Sequence, residues 1–91
     1  MAVAGKSLGI LGGTFDPIHI GHLRMAEAVF ERMELEKIIF IPAYVPPHKL
    51  GQDFAPALDR YAMTELAVAD NPHFMVSDME LRRSEIGRAH V

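Results

Sequence analysis

The sequence predicts an α/β fold built on a parallel sheet. Two short aliphatic runs end in glycine or proline, segments of helical periodicity follow each of them, and a third short apolar run completes the pattern. Right-handed crossovers turn the order strand, helix, strand, helix, strand into a parallel sheet with alternating helices. Three such strands make half of a doubly wound fold. No internal repeat or low-complexity segment interrupts this order.

The first strand is read over 7–12, SLGILG, a short apolar run closed by glycines, as expected of a strand buried on both faces. The period then changes. Leu23, Ala26, Phe30 and Met33 form one apolar stripe, with Arg24, Glu27, Glu31 and Glu34 falling elsewhere, the mark of an amphipathic helix. Asp16 followed by Pro17 is expected to start it: the carboxylate accepts from free backbone N–H groups, and proline tolerates the first helical position. Asp16 thus reads as a cap rather than a ligand. KIIFIP, 37–42, reads as a second buried strand. Residues 43–55, rich in Pro, Gly and His, read as a loop. Helical spacing returns over 56–70 through Leu58, Ala62, Leu66 and Ala69, with the Asn71–Pro72 step as its stop. Phe74–Ser77 is the third strand. Arg60 reads as a charge on a helix surface. Met25, Met33, Met63 and the phenylalanines read as core filler.

Composition narrows the function. The chain has 91 residues, room for one small domain. Its net charge of −3 disfavours duplex nucleic-acid binding. No apolar run approaches the roughly 20 residues needed to span a bilayer, and the N-terminal stretch lacks the basic start of a signal peptide. A cytoplasmic protein without membrane or nucleic-acid partners is expected. Cysteine is absent, which excludes disulfides and thiolate metal sites. No oligomeric state follows from the sequence.

The chemistry gathers in GGTFDPIHIGH, residues 12–22. In an open parallel sheet, ligands bind beyond the carboxyl ends of the strands. Gly12 and Gly13 fall at such an end and let a ligand approach the main chain. The helix that follows offers free N–H groups and the positive end of its dipole, which favour an anion. His19 and His22, three residues apart, share a face near that end, and Gly21 leaves space between them. Neutral imidazoles offer N–H donors and protonated ones add charge; either suits a polyphosphate. Donors fixed in advance can stabilise charge developing on a phosphoryl group. The two histidines could also be a metal pair, but no third ligand of obvious spacing follows, so no metal site is assigned. Gly5–Ser7, GKS, precedes its strand and so is not a Walker A loop, and GxGxxG is absent.

The motif GGTFDPIHIGHL resembles the signature of the nucleotidyltransferase superfamily that carries (H/T)xGH. IPAYVPPHK and RYAMTELAVADNPHFMVSDMELRR, with their spacing, resemble the bacterial nicotinate-nucleotide adenylyltransferases, and the likeness runs from about Leu8 to Arg83. The resemblance implies a Rossmann-like nucleotidyltransferase fold, of which this is the N-terminal half. It implies an enzyme of NAD biosynthesis that transfers an adenylyl group from ATP to nicotinate mononucleotide, giving deamido-NAD and pyrophosphate with Mg²⁺ as helper. His19 and His22 would hold the ATP phosphates as catalytic residues. Gly12, Gly13, Thr14, Phe15 and Gly21 would line the nucleotide site. His48 and Lys49 would sit on a loop near phosphate or mononucleotide. The alternatives are another HxGH adenylyl or cytidylyl transferase, such as one acting on phosphopantetheine, and a non-catalytic nucleotide-binding half domain.

After MELRR the family continues into a further half of its fold, whereas this sequence reads SEIGRAHV. Residues 85–91 can be back-translated to codons that contain the start of a widely used short-read sequencing adapter, a divergent natural terminus being the alternative. The expected organisation is therefore residues 1–84 as the N-terminal part of one nucleotidyltransferase domain, with 85–91 as a non-native tail. Such a half sheet is expected to be marginally stable and inactive alone.

Overall fold

The computed structural model describes residues 2–4, 8–44 and 55–82. The elements are β1 (Ala2–Ala4), β2 (Leu8–Gly13), α1 (Ile20–Arg32), β3 (Lys37–Pro42), α2 (Ala57–Val68) and β4 (Phe74–Val76). The four strands form one sheet in the order β1-β2-β3-β4. The parallel α/β core is as the sequence predicts: β2 pairs parallel with β3, and β3 with β4. The short β1, which the periodicity did not separate from β2, adds an antiparallel strand at the edge, with Ala2 opposite Ile10.

Alternation along the strands gives the sheet two unlike faces. Leu11, Ile38, Phe40 and Phe74 are buried on one, in register as Leu11 with Phe40 and Ile38 with Phe74. Both helices cover this face: Ala26 of α1 and Val68 of α2 belong to the same apolar cluster. Burying side chains of this size contributes about 1.5–3 kcal/mol each. The other face carries Leu8, Ile10, Ile39, Ile41 and Met75, all half-buried or exposed. Both crossovers step in one direction across the sheet, and right-handed connections then place both helices on one side.

The two helices differ in how well their stripe was legible. In α1, Leu23, Ala26 and Phe30 face the core as predicted. Met33 does not: it is the C-cap and 52% exposed. The next residue, Glu34, takes φ 51°. Its N–H donates to the Glu31 carbonyl and the Leu35 N–H to that of Phe30, a Schellman ending that turns Leu35 into the core in place of Met33. Met25 is likewise exposed and Met63 half-buried, so neither is core filler. In α2 the predicted stripe points outward. Leu58 is 71% and Leu66 77% exposed, and Ala62 and Ala69 are exposed as well. The buried face is Arg60, Thr64 and Val68. An arginine and a threonine can face the core because their polar atoms bond inside it: Thr64 Oγ1 donates to the Arg60 carbonyl at 2.8 Å.

Candidate active site

The carboxyl ends of β2 and β3 lie side by side, Gly13 in register with Pro42, and the Ala43 N–H extends the ladder with a 2.8 Å bond to the Gly13 carbonyl. Beyond Gly13 the chain turns sharply through Phe15, at φ 50°. That left-handed backbone costs an L residue roughly 1–2 kcal/mol, and burial of the ring offsets it. Phe15 is buried, with its ring 5.9 Å from that of Phe40. Gly13 makes room for it: a Cβ there would stand 3.1 Å from Phe15 Cε1.

The helix α1 starts later than predicted. Asp16 and Pro17 do not cap it; His19, with extended backbone, is the N-cap. His19 Nδ1 accepts from the Gly21 N–H at 3.0 Å, and His22 Nδ1 accepts from the His19 N–H at 3.1 Å. The two histidines thus perform the reciprocal capping that Ser/Thr and Glu usually supply. Gly21 is required, because a Cβ there would fall 2.8 Å from His19 Cε1. An acceptor at Nδ1 places the proton of each neutral ring on Nε2. This tautomer is assigned from the hydrogen bonds. Each ring therefore spends its inner nitrogen on the helix start and keeps an Nε2–H donor with no partner among the described residues.

His19 is exposed, and its ring centroid lies 3.9 Å from that of His22. His22 is half-buried and meets the Phe15 ring edge to face, centroids 5.2 Å apart. Burial, and then the neighbouring His19, hold the His22 pKa below its ordinary value. These two causes favour the neutral ring of His22, and two N–H donors at a helix N-terminus suit an anion.

Of the sequence-predicted residues, Gly13, Phe15, His19, Gly21 and His22 come together here. Gly12 is exposed beside them, and a Cβ there would meet only the Ile41 carbonyl oxygen, at 3.9 Å. The Thr14 carbonyl turns inward instead, to Arg60 Nη1 at 2.8 Å. His48, Lys49 and the 85–91 segment lie outside the described residues. Asp16 uses Oδ2 to accept from the Ala55 N–H at 3.1 Å, joining this loop to the start of α2. Arg60 too lies elsewhere than its pattern predicts. It is fully buried, not a surface charge. Its partners are backbone carbonyls, which leave no mark in side-chain pattern. Among the described residues no three His, Cys, Asp or Glu side chains gather as a metal-binding group, and no helix is long and apolar enough to cross a membrane.

Known proteins are similar to this chain over most of its length. A protein from Syntrophotalea carbinolica named probable nicotinate-nucleotide adenylyltransferase is 58% identical over 77 residues, 85% of this chain and 35% of its own length. Proteins of the same name from Symbiobacterium thermophilum and Thermomicrobium roseum are 55% and 51% identical over 76 residues, 84% of this chain and 36% of theirs. The chain spans little more than a third of the length of these curated relatives. The family model described as cytidylyltransferase-like matches residues 10–91, from within β2 onward, and so takes in the glycine turn and the histidine-capped helix. On this match the chain belongs to the cytidylyltransferase-like family.

Proposed function

We propose that this chain is the triphosphate-holding part of an adenylyltransferase that joins ATP to nicotinate mononucleotide, releasing pyrophosphate and forming deamido-NAD. The observation that carries the reading is the pair of Nε2–H donors, both freed by Nδ1 capping and set 3.9 Å apart by ring centroid at the start of α1. The relatives' name supplies the adenylyl group and the nicotinate acceptor. Another HxGH adenylyl or cytidylyl transfer is the alternative, and the family description keeps a cytidine nucleotide in the comparison.

In the reaction, a phosphate oxygen of the mononucleotide attacks the α-phosphorus of ATP in line. The new P–O bond forms as the bond to the β-phosphate oxygen breaks, and its electron pair leaves with pyrophosphate. No covalent intermediate on the protein is needed. The work of the chain is positioning and charge stabilisation. His19 and His22 donate from Nε2 to phosphate oxygens, Gly12 keeps the approach clear, Gly13 makes room for the Phe15 ring, and Phe15 fixes the plane of the His22 ring. Thr14 turns the loop and Gly21 spares the His19 ring. His48 and Lys49 belong to the substrate side of this reading. Among the described residues no three His, Cys, Asp or Glu side chains gather into a cage for Mg²⁺. The cation is accordingly read as part of the substrate, Mg·ATP, where it neutralises phosphate charge.

Calorimetric titration of the chain with Mg·ATP and with Mg·CTP tests this. Saturable ATP binding that is tighter than CTP binding, and lost in His19→Ala and His22→Ala, is expected. A chain that folds and shows no heat with either nucleotide refutes the reading. ATP binding without turnover, in a longer chain that includes this sequence, favours the non-catalytic alternative.

A further inference from the structure

Arg60 stands inside the fold with the features of a tie rather than a filler. Its Nε donates to the Ala55 carbonyl at 2.9 Å, and its Nη1 donates to the Thr14 and Ala43 carbonyls, each at 2.8 Å. Those carbonyls belong to three separate pieces of chain: the turn after β2, the exit of β3 and the residue before the α2 N-cap. Asp16 adds a fourth thread from the same turn to Ala55. The guanidinium is fully buried, and its Nη2 has no acceptor among the described residues. A buried cation with a spare donor is an unfavourable way to fill space. An apolar side chain would fill the volume but would take this donor away from three carbonyls, leaving the Gly13–Ala43 and Asp16–Ala55 bonds to join the segments. The planar fork suits this task, since it spreads its donors in fixed directions.

The segment it holds most directly is the one that seats the imidazole pair. Thr14 precedes Phe15, whose buried ring meets His22 at 5.2 Å. We infer that Arg60 is a positioning residue for the candidate site: by clamping Thr14 to Ala43 and Ala55 it fixes the turn from which Phe15 orients His22. Arg60 touches no reacting atom in this scheme. The inference rests on the nucleotide reading only for its consequence in binding, because the clamp itself is tested without ligand.

Arg60→Lys keeps a buried cation and removes the fork. In the folded variant, the nuclear Overhauser contact between the Phe15 and His22 ring protons is expected to weaken and the His22 ring signals to shift. Mg·ATP affinity is expected to fall by about tenfold, the scale of a small misplacement of binding groups. Ring contact and His22 signals unchanged from the wild type, in a folded variant of lower stability, would mean that Arg60 is merely structural and would overturn the inference. Should Arg60→Lys fail to fold, the wild type supplies the measurement. Below the global urea transition the Arg60 Nε–H is then expected to lose its protection from exchange together with the Phe15–His22 ring contact, and a ring contact that outlasts the loss of Arg60 protection overturns the inference. Failure of the wild type to bind Mg·ATP refutes the nucleotide reading instead, and the ligand-free ring contact in the folded Arg60→Lys chain decides the clamp.

Discussion

Phe15 and His22 meet edge to face, ring planes 88° apart, with Phe15 in the apolar core and His22 at the rim of the candidate site. A core residue thus sets the orientation of a polar one. Replacing Phe15 by leucine removes the ring edge while keeping much of the apolar volume. An edge-to-face pair is worth about 0.5–1.5 kcal/mol beyond burial, so Phe15→Leu is expected to lower stability by about 1–2 kcal/mol. Mg·ATP affinity should fall with it. Urea unfolding and calorimetry on the same variant check both.

Gly21→Ala separates binding from stability. The added Cβ would stand 2.8 Å from His19 Cε1, so the exposed ring must leave its bond to the Gly21 N–H. Losing a cap costs about 1 kcal/mol, and alanine in place of glycine in the first turn returns a similar amount. The expected outcome is a nearly unchanged denaturation midpoint with clearly weaker nucleotide binding. Equal losses in both would show that the His19 ring serves only the helix.

The His22 pKa lies below the ordinary value of 6.5, because of burial first and the nearby His19 second. The folded chain therefore holds fewer protons than the unfolded chain in the window just below pH 6.5. The stability that the neutral ring confers is complete above that value and is lost as pH falls through it towards the folded pKa. Denaturant midpoints should drop as pH falls below 6.5, and His22→Asn should flatten that part of the profile.

Glu34 ends α1 at φ 51°. Glycine adopts that backbone freely, at some loss of chain entropy on folding. Glu34→Gly is expected to stabilise the chain by about 0.5–1 kcal/mol and to leave nucleotide binding untouched. A loss of stability would mean that the Glu34 side chain contributes more than its strain costs.

The face formed by Leu8, Ile10, Ile39, Ile41 and Met75 is apolar, with Leu8 and Met75 exposed and the three isoleucines half-buried. Self-association is expected in light scattering as concentration rises. Ile39→Lys, at the middle of that face, should reduce it. A monodisperse monomer at roughly 100 μM would show the face to be benign.

The three parallel strands and the histidine motif were legible in the sequence because each rests on local chemistry. KIIFIP forms β3 over the span expected of a continuous β-branched run, and the glycine turn lies at the end of β2 as predicted. What was not legible depends on contacts distant in sequence. Apolar residues lie on both sides of α2, so its periodicity alone could not choose a face. The choice falls to Arg60, whose carbonyl partners Thr14 and Ala43 lie 46 and 17 residues away. Asp16 before Pro17 has the chemistry of a cap, yet its carboxylate reaches Ala55, and a histidine takes the capping role.

The division of labour within each imidazole makes the two ends of the ring separable by amide isosteres. Asparagine places an acceptor near the Nδ1 position and nothing at Nε2; glutamine reaches the outer position and abandons the inner one. At His19 and His22, the first exchange should preserve the beginning of the helix and silence the anion contact, while the second should do the reverse. One side chain carries two duties here, and a pair of single-atom-scale edits can tell them apart.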